Sequence, residues 1–366
     1  MNRKMSIMLG VIICLVLAAS LFMAACGPAE PEPSPTPAPS PAPAPTPAPE
    51  EKPIELKYAS TQPPGHAFSL GDLAWIDKIH EETNGRVHIE PYWAGALMSD
   101  ADAYYELRKG VADIAYIGAD YIKEGFDIEK ATRILFYGSP SLEISHRVYD
   151  DLRSKFPEID AEWSGVKIMA AHGITPYQLL TLKKPVRMAE DFRGLTIKAS
   201  GDFVQLVGEL GGEGVPVPMS ETYVALQKGT IDGCFSPYEC LLSFKFGEVV
   251  KYATNLNLVA APTPHRAMNW DSWNKLPPDI QEIFENNRGF WEAKIEEAML
   301  KADDAGIAFG KEQGVEFITL PPEELDKVYE ALTAIVLTRF TNLDAKGLPG
   351  TDIAKEARRL IEEYSK

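Results

Sequence analysis

Cysteine is scarce: four residues in 366, at positions 14, 26, 234 and 240, and none is set at a zinc-ligand spacing. Histidine is hardly more common, with six scattered residues that form no recognisable catalytic or metal pattern. The chain also lacks a Gly-x-Ser-x-Gly elbow, a His-Glu-x-x-His pair and a phosphate-cradling glycine loop. Catalytic residues, a metal site and a cofactor are therefore not expected. Basic residues are in deficit, 36 Lys and Arg against 53 Asp and Glu, for a net charge of −17. That balance argues against nucleic acid or an anionic lipid surface as partner and favours solubility. An anionic ligand would need local cationic help against such a field. With so many acids, chance carboxylate pairs are inevitable and carry no weight.

Long apolar runs are lacking too, except at the start. Arg3 and Lys4 precede an uncharged stretch from Ile7 to Ala25, close to the ~20 residues that a bilayer core requires. It ends in Met23-Ala24-Ala25-Cys26, small residues before a cysteine, and is similar to a bacterial lipoprotein signal. On that resemblance residues 1–25 are removed and Cys26 carries lipid; the other reading is an uncleaved anchor helix. Either way the rest of the chain lies outside the cytoplasm. Removing Arg3 and Lys4 takes the net charge from −17 to −19. From Pro28 to Pro53 nearly every second residue is proline, so residues 26–53 read as a lipid-bearing end and a polyproline tether. At ~3.1 Å per residue its reach is roughly 70–80 Å. Cys234 and Cys240 are expected as two buried thiols, with a disulfide the alternative outside the cell.

The remaining stretch, Ile54–Lys366, exceeds what one core usually supports, so two domains are expected. Strand and helix patterns alternate: Ile54–Ser60, Phe68–Glu82, Val87–Trp93, Ala101–Lys109 and Ala112–Ile117. The pattern repeats around Asp191–Tyr238, with strands at Leu195–Ala199, Gly214–Pro218 and Ile231–Ser236. Helices there are expected over Gly201–Leu210 and Ser220–Lys228, the latter closed by Gly229. This alternation predicts an α/β fold with parallel sheets, whose ligands bind at the carboxyl ends of strands. Lys198 and Ser236 stand at two such ends. A helix is expected over Tyr238–Val250, and a long one of ~45 Å from Ile280 to about Gly310, enough to run along two small domains.

Several motifs then converge on one family. They are Gly194-Leu195-Thr196-Ile197-Lys198, Val217-Pro218, Ser220 through Gly229, and Ile231-Asp232-Gly233. Weaker matches are Thr83-Asn84-Gly85 with Gly95-Ala96-Leu97, Gly110 through Ala115, and Trp273 through Pro277. Together they resemble the extracytoplasmic solute-binding proteins of TRAP transporters, of the dicarboxylate-binding type. The resemblance implies a two-domain periplasmic-binding-protein-like fold with a central ligand cleft, crossing strands and a long bracing helix. On it, the chain divides into 54–177 and 178–261, the main parts of two domains. Residues 262–366 then supply strands and helices shared between them. It also implies one small organic acid as ligand and delivery to TRAP-type permease membrane subunits.

Many members carry an arginine where Lys198 stands and an asparagine where Ser236 stands. The resemblance places a second arginine of some members near Gln178. Lysine offers a point charge where arginine offers a planar fork, and Phe235 and Ser236 replace more polar residues. Tyr223, Tyr238, Trp93 and Tyr116 lie at predicted strand ends or helix starts, and His66 in the loop after the first strand. The expected ligand-binding set is therefore Lys198, Ser236, Gln178, Tyr223, Tyr238, Trp93, Tyr116, His66 and Phe235. The expected solute is a monocarboxylate with an apolar or aromatic body. Two other readings are a sensory lipoprotein that presents its ligand to a receptor, and an extracytoplasmic enzyme.

Overall fold

The computed structural model describes residues 52–217, 219–259 and 264–366. The apolar run Ile7–Ala25, Cys26 and the proline-rich stretch as far as Glu51 lie outside the described residues, as do Pro218 and Ala260. No described helix is long and apolar enough to cross a membrane.

Strands β1 (Ile54–Ala59), β2 (Val87–Tyr92), β3 (Ile114–Gly118) and β4 (Lys167–Ala171) form a sheet with β10 (Pro264–Met268), in the order β2-β1-β3-β10-β4. A second sheet holds β5 (Tyr177–Thr181), β6 (Thr196–Lys198), β7 (Glu213–Val215), β8 (Gly233–Ser236), β9 (Tyr252–Leu258) and β11 (Glu316–Thr319). Its order is β11-β9-β5-β8-β6-β7. The expected α/β architecture is present, but neither sheet is wholly parallel. β10 runs antiparallel to β3 and β4, and β5 runs antiparallel to β8 and β9. The reason lies in the chain path. β5 follows β4 of the other sheet, and β10 follows β9. A strand arriving from the opposite sheet enters at the carboxyl ends of its new neighbours and must run against them.

Helices cover both sheets because their apolar faces are amphipathically spaced. The first, Ala67–Glu82, buries Phe68, Trp75, Ile76 and Ile79 and stops at Thr83, where Asn84 and Gly85 take positive φ of 51° and 76°. Two expected helices are interrupted. Between Tyr238 and Val250 only Cys240–Ser243 and the 3-10 turn Phe246–Glu248 are helical. Lys245 sits between them at φ 58°, a left-handed residue through which a right-handed helix cannot continue. The long helix breaks at Asn287 into Pro278–Asn286 and Arg288–Glu312. There Asn287 Nδ2 donates to Glu82 Oε2 at 2.5 Å and to Ile283 O at 2.9 Å.

The 25-residue piece Arg288–Glu312 still touches both sheets' surroundings. Trp291, Ile295 and Met299 join the core under β1 and β2, and Trp291 stacks on Trp75 with ring centroids 3.7 Å apart. Seven residues beyond Met299, Gly306 lies so close to the second sheet's connections that a Cβ there would stand 2.0 Å from Tyr238 O. Gly71 on the first helix makes a similar approach, its Cβ position falling 2.5 Å from Ile295 Cγ1. The helix is therefore pinned at both ends of its length by contacts only glycine admits.

Candidate functional site

A cavity of about 1000 Å³ opens between the carboxyl ends of the two sheets' strands. From the first sheet's side it is lined by the loop after β1, which supplies Thr61 and His66, by Phe68 on the helix that follows, and by Tyr116 on β3. From the second it takes Lys198 at the end of β6, Phe235 on β8, and Ser200 and Gly201 at the start of helix Asp202–Glu209. Gly201 caps that helix at φ 56° with no side-chain cap, and the helix's amino end borders the cavity with Phe203 N and Val204 N already donating to Ser200 O and Gly201 O at 3.3 and 3.2 Å.

The walls are aromatic and apolar. Phe68 stacks on Tyr116, ring centroids 6.2 Å apart, and meets His66 edge-on at 4.6 Å. Tyr177, Phe235 and Phe244 continue the wall, with Ile174, Val217 and Met299. Behind Phe68 and Tyr116 lies Arg266, 0% exposed, its guanidinium 5.6 and 5.1 Å from the two ring centroids. Its charge is matched: Nε and Nη2 donate to Asp72 Oδ1 and Oδ2 at 2.9 and 3.0 Å, and Nη1 to His172 Nε2. Tyr58 Oη and Trp291 Nε1 also donate to Asp72, at 2.6 and 2.8 Å. A buried ion pair satisfied this completely holds its neighbours in register and offers nothing to a ligand.

Four cations line the cavity, and three are occupied. Arg133 pairs with Asp120 and donates to Tyr177 Oη at 3.3 Å. Arg339 pairs with Asp202. Lys130 Nζ donates to the carbonyls of Ile122 and Gly125 at 2.6 and 3.0 Å. Lys198 differs. It is 7% exposed, and among the described residues its only polar contact is Met219 Sδ at 3.8 Å. Burial, with a smaller contribution from the Arg133 charge, pulls its pKa below the ordinary 10.5, while the neighbouring thiols Cys234 and Cys240 oppose the fall.

Lining acids are likewise mostly committed. Glu239 accepts from Ser243 Oγ at 2.5 Å and from Cys240 Sγ at 2.8 Å. Asp100 accepts from Thr61 Oγ1 at 2.5 Å, its pKa raised by burial. Tyr121 is pushed up to about 12 by burial, with the Asp100 charge adding to the rise. Burial also lowers the His66 pKa, so the ring is an uncharged wall element at neutral pH, its Nδ1 accepting from Phe68 N at 3.2 Å. Among the described residues no group of three His, Cys, Asp or Glu stands ready to hold a metal ion.

Of the expected ligand-binding residues, Lys198, Phe235, Tyr116 and His66 line this cavity; Ser236, Gln178, Tyr223, Tyr238 and Trp93 do not. Gln178 is buried and turned to the backbone: Oε1 accepts from Leu256 N and Asn257 N at 2.8 and 3.1 Å, bridging the β5–β9 irregularity. Ser236 is wholly buried opposite Gln178 in the β5–β8 ladder. Tyr223 reaches outward to Glu248 at 3.0 Å. Tyr238 packs on Phe317, and Trp93 meets Tyr58 edge-on. Arg133, Tyr177, Phe68 and the Gly201 helix start were missed. Tyr177 and Gln178 are adjacent on one strand, so the miss there is a matter of which face meets the cleft.

Residues 58–342 match the family described as bacterial extracellular solute-binding protein, family 7. The chain is 26% identical over 308 residues to the C4-dicarboxylate-binding periplasmic protein of Rhodobacter capsulatus, covering 81% of this chain and 82% of that one. It is similar in structure to a TRAP periplasmic solute-binding protein from Desulfovibrio salexigens, with TM-score 0.76 and 26% identity over 85% of this chain and 96% of that one. A TRAP solute-binding protein from Rhodoferax ferrireducens, solved with copurified benzoate, has the same TM-score of 0.76 at 24% identity, covering 85% and 98%.

Proposed function

Because the chain belongs to the family-7 bacterial extracellular solute-binding proteins, the receptors of TRAP transporters, we propose that its solute is a monocarboxylate with an aromatic or bulky apolar body. The observation that carries this reading is Lys198: a buried ammonium with no carboxylate partner among the described residues, at the edge of an aromatic cavity. An unpaired buried cation is costly, and a ligand carboxylate placed beside it removes that cost. Arg133 is already paired with Asp120, and the amino end of helix Asp202–Glu209 adds positive potential on the same side. One cation free for one carboxylate favours a monoacid. The wall of Phe68, Tyr116, Tyr177 and Phe235 suits a flat ring at the other end. The benzoate of the Rhodoferax protein is a ligand of this chemistry in the same fold.

A thermal-shift and calorimetric screen tests the reading with benzoate, phenylacetate, succinate and neutral benzamide. A good ligand at a hundred times its Kd stabilises by ~2.7 kcal/mol. Aromatic monoacids are expected to raise Tm, and benzamide to leave it unchanged. Tighter binding of succinate than of any monoacid, or binding of neutral solutes alone, overturns the proposal.

In the proposed setting Cys26 carries the lipid, and the proline-rich stretch spaces the receptor from the outer face of the cytoplasmic membrane. There it serves a TRAP-type permease. Metabolic labelling with an alkyne fatty acid should mark the native chain and leave Cys26→Ser unmarked; equal labelling of both refutes the anchor.

A further inference from the structure

The two walls of the cleft differ in chemistry. Lys198 stands on the second sheet's side. On the first sheet's side the cavity has a corner of oxygen atoms that a benzoate-like ligand would leave unused. Thr61 and Asp100 reach it from the loops after β1 and β2, Tyr116 from β3, and Tyr121 from the 3-10 turn Ala119–Tyr121. Gly118, the last residue of β3, brings the two phenols together. A Cβ there would stand 2.9 and 3.1 Å from Tyr121 Cδ2 and Cε2 and 3.7 Å from Tyr116 Oη. Only without a side chain at 118 can the Tyr121 ring fold back beside the Tyr116 hydroxyl.

Two groups in this corner are short of partners. Asp100 is half-buried, and Thr61 Oγ1 donates to its Oδ1 at 2.5 Å, but Oδ2 has no donor among the described residues. Among those residues no cation pairs with it either. The other lining acids are better met: Asp120 holds Arg133, Asp202 holds Arg339, and Glu239 has a donor on each oxygen. Burial raises the Asp100 pKa, and only the Thr61 bond opposes the rise. Tyr116 is 6% exposed, and its hydroxyl has no hydrogen-bond partner among the described residues. Burial raises its pKa, with the Tyr121 and Asp100 charges adding to the rise, and Tyr121 feels Asp100 in the same way. The carboxylate and both phenols therefore act on one another across a single corner.

The chemistry of the missing partner follows from these groups. An ionised carboxylate only accepts, so whatever meets Asp100 Oδ2 must donate. A buried polar group left unmet is costly, and a ligand donor placed here would remove the deficit. A second carboxylate in the same place would meet like charge, which disfavours a diacid from this side as well.

We propose that the solute carries a hydrogen-bond donor, a hydroxyl or an ammonium, on the end of its body opposite the carboxylate, and that Asp100 and Tyr116 are the residues that select it. The inference rests on the reading of Lys198 as the partner of the carboxylate. Asp100 Oδ2 accepts from the donor, and the Tyr116 hydroxyl donates to a ligand hydroxyl or accepts from a ligand ammonium. The ligand then bridges the two walls, held by the second sheet at its acid and by the first sheet at its donor.

Calorimetry on the native protein compares phenylacetate with its hydroxy, aminomethyl and methoxy derivatives at ring positions 3 and 4. The best hydroxy or aminomethyl compound is expected to bind ~10-fold or more tighter than phenylacetate, as a hydrogen bond to a charged group allows. A hydroxy preference assigns a hydroxyl, and an aminomethyl preference an ammonium. The methoxy compounds add bulk without a donor and should gain nothing. Asp100→Asn keeps an oxygen for Thr61 but sets an amide donor where an acceptor is needed, so it should bring the derivatives to within about threefold of phenylacetate. Tyr116→Phe should erode the preference part-way, and thermal unfolding checks that both variants are folded. Phenylacetate binding as tightly as every donor-bearing derivative overturns this subsite and leaves the aromatic-monoacid reading standing. Failure of all the aromatic acids to bind overturns both. A gain from methoxy equal to that from hydroxy overturns the subsite, because the gain is then one of bulk. So does an Asp100→Asn protein that weakens every ligand equally, because Asp100 is then structural.

Discussion

Replacing Lys198 by methionine should move two observables in opposite directions. The residue is 7% exposed, and the ammonium's only polar contact among the described residues is Met219 Sδ. Methionine is unbranched and similar in reach, so the packing beside Cys234 and Ala199 is retained while the charge is lost. In the ligand-free protein the substitution relieves the burial of an unpaired cation, and a gain of ~1 kcal/mol or more is expected, about 2 °C or more in Tm. In the complex it removes one partner of a buried charge pair, at a cost of ~2–5 kcal/mol. That is a loss of affinity of roughly 30- to 4000-fold for an aromatic monoacid. Differential scanning fluorimetry without ligand and calorimetry with benzoate read the two effects separately. A ligand-free Tm that falls, or an affinity within about threefold of the native protein, refutes the reasoning.

The same lysine gives a pH signature whose sign is fixed. Its folded pKa lies below the ordinary 10.5, first because of burial. Between that lowered value and 10.5 the unfolded chain holds the proton and the folded chain does not. Stability therefore rises with pH across this alkaline window. A bound carboxylate pulls the proton back, so ligand binding should take up protons there. Calorimetry in two buffers of different ionisation enthalpy measures the uptake, and Lys198→Met should abolish it.

Glu129 is fully buried, accepts from Tyr149 Oη at 2.8 and 3.0 Å and from Trp163 Nε1 at 3.3 Å, and is pushed up to about 8 by burial. The folded protein thus keeps a proton that the unfolded chain releases near 4.5, and its contribution is lost as pH rises from there to about 8. Urea unfolding at pH 5 and pH 8 should show the fall, and Glu129→Gln should flatten it. Gly306→Ala should destabilise by ~1–3 kcal/mol, since its Cβ would meet Tyr238 O at 2.0 Å, whereas Gly289→Ala on the same helix meets nothing within 4 Å and should be neutral or stabilising. Equal unfolding midpoints for the two would refute the close-approach account. Cys234 and Cys240 are buried free thiols, Cys234 pushed up to about 12 by burial. Iodoacetamide should label neither at pH 8 until urea is added; rapid labelling in the native state would contradict their burial.

Local chemistry made much of the fold legible. The helix Met219–Lys228 ends before Gly229 at φ 67°, and the Asn84-Gly85 stop falls where the turn residues predicted. The errors share a cause, which is that tertiary contact overrode local pattern. Tyr238–Val250 is apolar enough for one helix, yet Lys245 turns left-handed between two short pieces, and Phe246 and Val250 beyond it are both buried. The apolar period from Ile280 to Gly310 runs unbroken in the sequence. Its break at Asn287 follows from a bond to Glu82, 205 residues away. Strand direction was equally hidden, since β5 and β10 are reversed by their arrival from the other sheet.

The site was legible at strand ends and illegible in its charge balance. Lys198, Phe235 and Tyr116 sit at the carboxyl ends where α/β topology puts ligands. Gln178 and Ser236 sit beside cavity residues and face away, because strand neighbours point to opposite faces. More consequential is which cation remains unpaired. Lys130, Arg133, Lys198 and Arg339 all line the cavity, and nothing in their sequence surroundings ranks them. Arg339 is taken by Asp202, 137 residues away, and Arg133 by Asp120 from the far side of a short helix. Only after those pairings are drawn does Lys198 stand out as the lining cation without an ion-pair partner among the described residues. A receptor with net charge −17 can hold an anion on those terms. The acids nearest the cavity are spent on the other cations and on hydroxyl or thiol donors, and the field at Lys198 is set by its few buried neighbours rather than by the surface.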